Sequence, residues 1–143
     1  MLKKIIIIFL TITNLFSNNL ENTLIKTIRL WNSTMNTQDF RLMQSLYANR
    51  VIYYGKIRSK YYIIQDKKRA LRKYPYFSQV IDELSYDYVE GNVYKVTFNK
   101  YVKYRKYSKI KVYPSYIYID LSYRYPKIVV EGDKVTDINL LYK

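Results

Sequence analysis

Apolar residues at Leu20, Leu24, Ile28, Trp31 and Met35 recur at helical spacing and share one face, so the chain is expected to open on a helix. Asn18 and Glu21 have the spacing of a capping box at its start. "NTQDF" restarts a helix, with Thr37 as N-cap and Asp39 in the first turn, where the helix dipole favours a negative charge. Phe40, Met43, Leu46 and Tyr47 form its apolar stripe. "RVIYYG" is a short strand ended by Gly55. Ser59 caps a third helix with Ile63, Lys67, Ala70, Leu71 and Tyr74 on one face, and Pro75 ends it by disfavouring helical geometry at Tyr74. Lys60, Lys68 and Arg72 lie on the solvated side.

Beyond Pro75 the period becomes two. Val80, Asp82, Leu84, Tyr86 and Tyr88 alternate up to a turn at "EGN". Tyr94, Val96, Phe98, Lys100, Val102 and Tyr104 share a face of a second long strand, and Tyr113, Ser115, Ile117, Ile119, Leu121 and Tyr123 one of a third. "RYP" turns into "KIVVEGDKV", a last strand broken at Gly132-Asp133, and "DINLLYK" is apolar enough to pair or pack again. Long strands with short connections predict a curved antiparallel sheet, hence an α+β fold with N-terminal helices packed on it.

Composition adds an export route. "MLKK" is a basic n-region, "IIIIFLTITNLF" an apolar h-region too short for a comfortable membrane span, and Ser17 a small residue at a cleavage point. Residues 1–17 are therefore read as a signal peptide and 18–143 as one domain, exported to the periplasm or the medium. The formal charge of +14 favours acidic partners, although a chain rich in Ile, Lys, Asn and Tyr is also what AT-rich coding produces.

Two inward lysines stand out. Lys100 interrupts the apolar register of its strand and Lys67 that of its helix. A buried lysine must be paired, shift its pKa or reach water. Each ammonium either serves a Tyr-lined cavity or meets Asp66, Glu131 or water above a buried stem. Asp66 and Arg69 have the spacing of a surface pair. "NKYVKYRKYSKIKVYP" interleaves rings with cations, as single-strand binders do, but alternation places Lys95, Tyr101, Lys103 and Arg105 on an ordinary solvated face.

The order of elements, together with several segments, resembles the NTF2-like (SnoaL-like) superfamily in its secreted bacterial form. "LWNSTMNTQDFRLMQSLYANRVIYYGK" is similar to the family's opening, "IIQDKKRALRKYPYFSQ" to its "DK-R…YP" helix end, and "YPSYIYIDL" and "KIVVEGDKV" to its last strands. The resemblance spans Thr23 to Val135 and implies a cone of helices on a curved sheet. It also implies homodimers through the open sheet face. Catalytic members resemble isomerases and polyketide cyclases with an acid or base inside the cone. Here the candidate base is Asp82, in register with Val80 and Leu84, with Tyr53 or Tyr118 as oxyanion donor; the alternative is a strand-edge carboxylate that meets solvent or a lysine.

With no His and no Cys, a histidine base, a thiolate, a Ser-His-Asp triad and most transition-metal sites are excluded. The His-Asp pairing of dehydratase-like members is missing too. The expectation is a non-enzymatic binding or interaction module, free of cofactor and metal. Its ligand pocket is expected to comprise Tyr53, Lys67, Lys100 and Tyr118 and to take a small amphipathic or anionic molecule, or else an envelope protein. The alternatives are an isomerase- or cyclase-type enzyme using a cavity carboxylate, and a binder of an anionic polymer or membrane surface. Nucleic acid is disfavoured by the export signal.

Overall fold

A computed structural model describes the backbone of residues 2–141 and the side chains of residues 18–141. Its elements are α1 (Leu2–Thr37), α2 (Phe40–Leu46), β1 (Tyr47–Tyr53), β2 (Lys56–Ser59), α3 (Lys60–Lys73), β3 (Ser78–Glu90), β4 (Val93–Lys103), β5 (Lys111–Asp120), β6 (Lys127–Asp133) and α4 (Lys134–Leu141). The side chains of the expected signal peptide, and Tyr142 and Lys143 of the tail, lie outside the described residues. Among the described residues no helix is long and apolar enough to cross a membrane.

The helix starts expected at Asn18 and Thr37 are both corrected. Asn18 lies inside α1, which runs through it unbroken. α2 is capped by Asp39, whose carboxylate accepts the Leu42 N–H at 3.1 Å. Asp can serve either as a cap or in the first turn, and backbone geometry selects the cap. Ser59 caps α3 as expected, accepting the Tyr62 N–H at 3.2 Å.

The six strands form one curved sheet in the order β2-β1-β6-β5-β4-β3. Neighbours are antiparallel except β1 and β6, which pair in parallel. That pair departs from the all-antiparallel expectation and puts β6 inside the sheet rather than at an edge. The stripe Leu24, Ile28, Trp31 and Met35 of α1 is buried against Met43, Tyr47, Ile63, Phe98, Ile117, Ile119 and Ile128. At the outer edge, Asn36 holds the backbone of β3 on both sides: it donates to Gln79 O at 2.7 Å and accepts from Gln79 N at 2.8 Å. This clamp satisfies strand groups that an edge would otherwise leave open.

β3 reverses its faces part-way along. Gln79 and Ile81 are buried, while Val80 is 62% exposed and Asp82 is exposed. Glu83 then adopts φ +59°, and the pairing with β4 shifts register between Asp82 and Ser85. The bulge returns Leu84 and Tyr86 to the core side.

Candidate functional site

The concave face of the sheet, α3 and the end of α1 enclose a cavity of about 350 Å³. Behind its Lys67 wall lies Glu131 on β6, which is 1% exposed and does not itself line the cavity. Glu131 is held by the Lys67 ammonium and by the Tyr47 hydroxyl at 2.6 Å, and Tyr47 in turn accepts the Trp31 N–H at 2.8 Å. The Lys67 nitrogen also lies 5.4 Å from the ring centres of Trp31 and of Tyr53. Lys67 is thus neutralised by one carboxylate and sandwiched by rings, as a buried cation requires. Burial first, and the Glu131 charge second, hold the Tyr47 and Tyr53 hydroxyls far above the usual tyrosine range. Both stay neutral donors at any physiological pH.

Lys100 on β4 is less well served. Its ammonium meets the Tyr54 hydroxyl at 3.2 Å and Asp133 Oδ2 at 3.9 Å, while Asp133 Oδ1 is taken by the Thr136 N–H at 2.7 Å, at the start of α4. An ammonium has three donors. One normal hydrogen bond and one long contact leave capacity facing the cavity. Burial, and then the neighbouring Lys67 charge, lower its pKa to about 8.

Tyr54 is held in place at some strain. It occupies the first central position of the β1–β2 hairpin at φ +48°, with Gly55 at +80°. Such turns favour Asn-Gly, and a tyrosine there costs about 1 kcal/mol or more. In return its ring stacks edge-on against Tyr53 at 4.7 Å and its hydroxyl reaches Lys100. The mouth is aromatic: Tyr104 hydrogen-bonds Tyr113 at 3.1 Å and its ring sits 6.0 Å from that of Phe77.

Three of the five residues singled out in the sequence therefore meet in one place. Tyr53, Lys67 and Lys100 line the cavity, and Tyr53 donates to Asp66 at 2.7 Å. Asp66 also makes the expected surface pair with Arg69, at 3.3 Å. Asp82 is not in the cavity: it precedes the bulge, on the outward face, and accepts the N–H of its own neighbour Glu83. Tyr118 is excluded as well, because it alternates with the buried Ile117 and Ile119 and lies on the outer sheet face beside Tyr116. Tyr47, Tyr54 and Asp133 were missed. The legible signal was an acid on either side of Gly132 in an otherwise apolar strand.

Among solved structures the chain is similar to Aln2 from a Streptomyces species, with a TM-score of 0.71 at 8% identity over 87% of this chain and 96% of that one. It is similar to a putative dehydratase from the NTF2-like family of Streptomyces avermitilis, with a TM-score of 0.68 at 10% identity over 82% and 96%. The fold is NTF2-like. The likeness to Bdellovibrio bacteriovorus Bd1075 has a TM-score of 0.64 at 17% identity and covers 77% of this chain, which spans 38% of the length of that one. No protein-family model matches the sequence, and no curated protein matches it significantly. NTF2-like cones serve as ligand-binding or enzyme-type modules in general, so the function has to be argued from the cavity.

Proposed function

We propose that the protein is an exported binding module whose cone holds a small amphipathic ligand, with an anionic or carbonyl oxygen on Lys100 and an apolar body against Tyr104, Phe77 and Val102. The cavity volume falls in the range of small-molecule sites. The observation that carries this reading is the contrast between the two lysines. Both ammoniums lie over two rings, but Lys67 is in close contact with Glu131, whereas Lys100, over Tyr54 and Tyr113 at 5.7 Å, has one hydrogen bond and a carboxylate no nearer than 3.9 Å. The basic n-region and apolar h-region of residues 1–17 support export.

The test uses 8-anilinonaphthalene-1-sulfonate, an amphipathic anion that fluoresces when desolvated. The wild type should bind it more weakly as pH rises through about 8, where Lys100 loses its proton. Lys100→Met should bind about tenfold or more weakly, as expected for loss of a charge-assisted hydrogen bond. The surface variant Lys68→Met should match the wild type. Equal affinity of Lys100→Met and wild type at every pH would remove the proposal.

A second reading has one observation in its favour. Asp133 Oδ2 and the Tyr54 hydroxyl flank the same cavity nitrogen, so a carboxylate base and a hydroxyl donor stand together where Asp82 does not. Such a pair would serve an isomerase or cyclase by moving a proton from carbon. Deuterium exchange into a cyclic ketone, catalysed by wild type and lost in Asp133→Asn, would favour it. Exchange at the rate of buffer alone would dismiss it.

A further inference from the structure

One end of the sheet carries a second, outward-facing feature. The α3–β3 connector and the β4–β5 hairpin loop meet there, where the rings of Tyr74 and Tyr104 pack 4.9 Å apart. Three large apolar side chains project from this end: Tyr107 is 90% exposed, Ile110 62% and Tyr76 61%. Around them stand the exposed cations Arg72, Lys73, Arg105, Lys106, Lys109 and Lys111. No Asp or Glu occurs between Lys67 and Ile81 or between Lys100 and Ile119, so no acid from either segment offsets them. Asp66 and Asp133 line the cavity instead.

We infer that this sheet end docks onto an anionic lipid bilayer, with Tyr107, Ile110 and Tyr76 entering the headgroup region and the six cations holding phosphate. Uncompensated cations would attract any polyanion, but the apolar tips decide between partners. A polymer tracks a groove and stacks its bases on rings. Here a tyrosine and an isoleucine stand at a hairpin loop, 90% and 62% exposed among the described residues. Tyrosine is at home at the depth of lipid headgroups, and long basic side chains reach back to the surface from there. A cation near an anionic leaflet strengthens attachment about fivefold. Neutralising three should weaken it roughly a hundredfold.

The test places a reporter at the tip of the full chain. Tyr107→Trp introduces an indole there, and Tyr88→Trp introduces one at the opposite end of the same sheet. Trp31 is buried and supplies the same background in both. With phosphatidylglycerol-rich vesicles containing brominated lipid, the Tyr107→Trp protein should blue-shift and be quenched, and the Tyr88→Trp protein should not. Pure phosphatidylcholine vesicles should give neither effect. Adding Arg105→Gln, Lys106→Gln and Lys109→Gln should lower partitioning roughly a hundredfold. Because the readout is local, the apolar N-terminal segment does not carry the result. Absent quenching at 107, or equal quenching at both positions, would overturn lipid docking. Salt-sensitive binding to a single-stranded oligonucleotide without lipid quenching would overturn it in favour of a polymer surface.

Discussion

Lys67 on α3 and Glu131 on β6 form a buried ion pair, with the Lys67 ammonium 5.4 Å from the Trp31 ring centre. The pair ties a helix to the middle of the sheet, and among the described residues neither charge has another countercharge within contact. Removing one partner of such a pair costs about 3–5 kcal/mol, because the other remains buried and uncompensated. Glu131→Gln keeps an acceptor for Tyr47 while removing the charge, so it isolates that effect. Urea unfolding should show a loss of this size, and Lys67→Met combined with Glu131→Gln should recover at least half of it. A double variant as unstable as the sum of the singles would show that the pair is not coupled.

Lys100 sets a pH dependence of definite sign. Its pKa is about 8 in the folded protein against an ordinary 10.5, so between these values the unfolded chain holds a proton that the folded chain has released. Stability therefore rises with pH, by about 2 kcal/mol from pH 8 to 10, and the penalty is constant below 8. Above pH 10 the buried tyrosines act the other way, since their raised pKa values let the unfolded chain ionise first. Denaturant melts of Lys100→Met should lack the rising limb between pH 8 and 10.

Gly132 is a packing constraint rather than a conformational one. A Cβ there would lie 2.5 Å from the Tyr116 hydroxyl and 2.7 Å from Cζ. Tyr116 donates to Asp137 at 2.8 Å and so pins α4 to β5. Gly132→Ala should push Tyr116 off that contact, cost about 1–3 kcal/mol, and raise amide exchange across Lys134–Leu141. Unchanged exchange in α4 would mean that the ring finds another way to move.

Asp82 and Tyr118, both promising in sequence, should be silent. Asp82→Asn and Tyr118→Phe alter groups on the outward face and are expected to change stability by no more than about 0.5 kcal/mol. Anilinonaphthalene sulfonate affinity should match the wild type in each. A tenfold loss in either would mean that the outer face takes part in binding.

These two residues also show where the sequence stops being readable. Along β4 the alternation is unbroken, so periodicity alone places Val96, Phe98 and Lys100 inward, where they are found. On β3 the same rule fails, because a bulge at Glu83 changes parity midway and no local residue announces it. Tyr118 fails differently: its own strand's alternation with Ile117 already puts it outside. Glu131 is legible only as an option for a lysine. Its central role comes from β6 pairing in parallel with β1, a contact between segments some eighty residues apart that periodicity does not encode. The caps show the limit on a smaller scale, since Ser59 acts as expected while Asp39 takes the place expected of Thr37.

Tyr104 borders two spaces at once, the interior cavity and the basic groove at the sheet end, and no other described residue lines both. Its hydroxyl belongs to Tyr113 on one side and its ring to Tyr74 on the other. Any guest that turns this ring from either side alters the wall seen from the opposite one. The two spaces are then linked thermodynamically, and whatever factor an outer guest applies to inner affinity returns unchanged in the other direction.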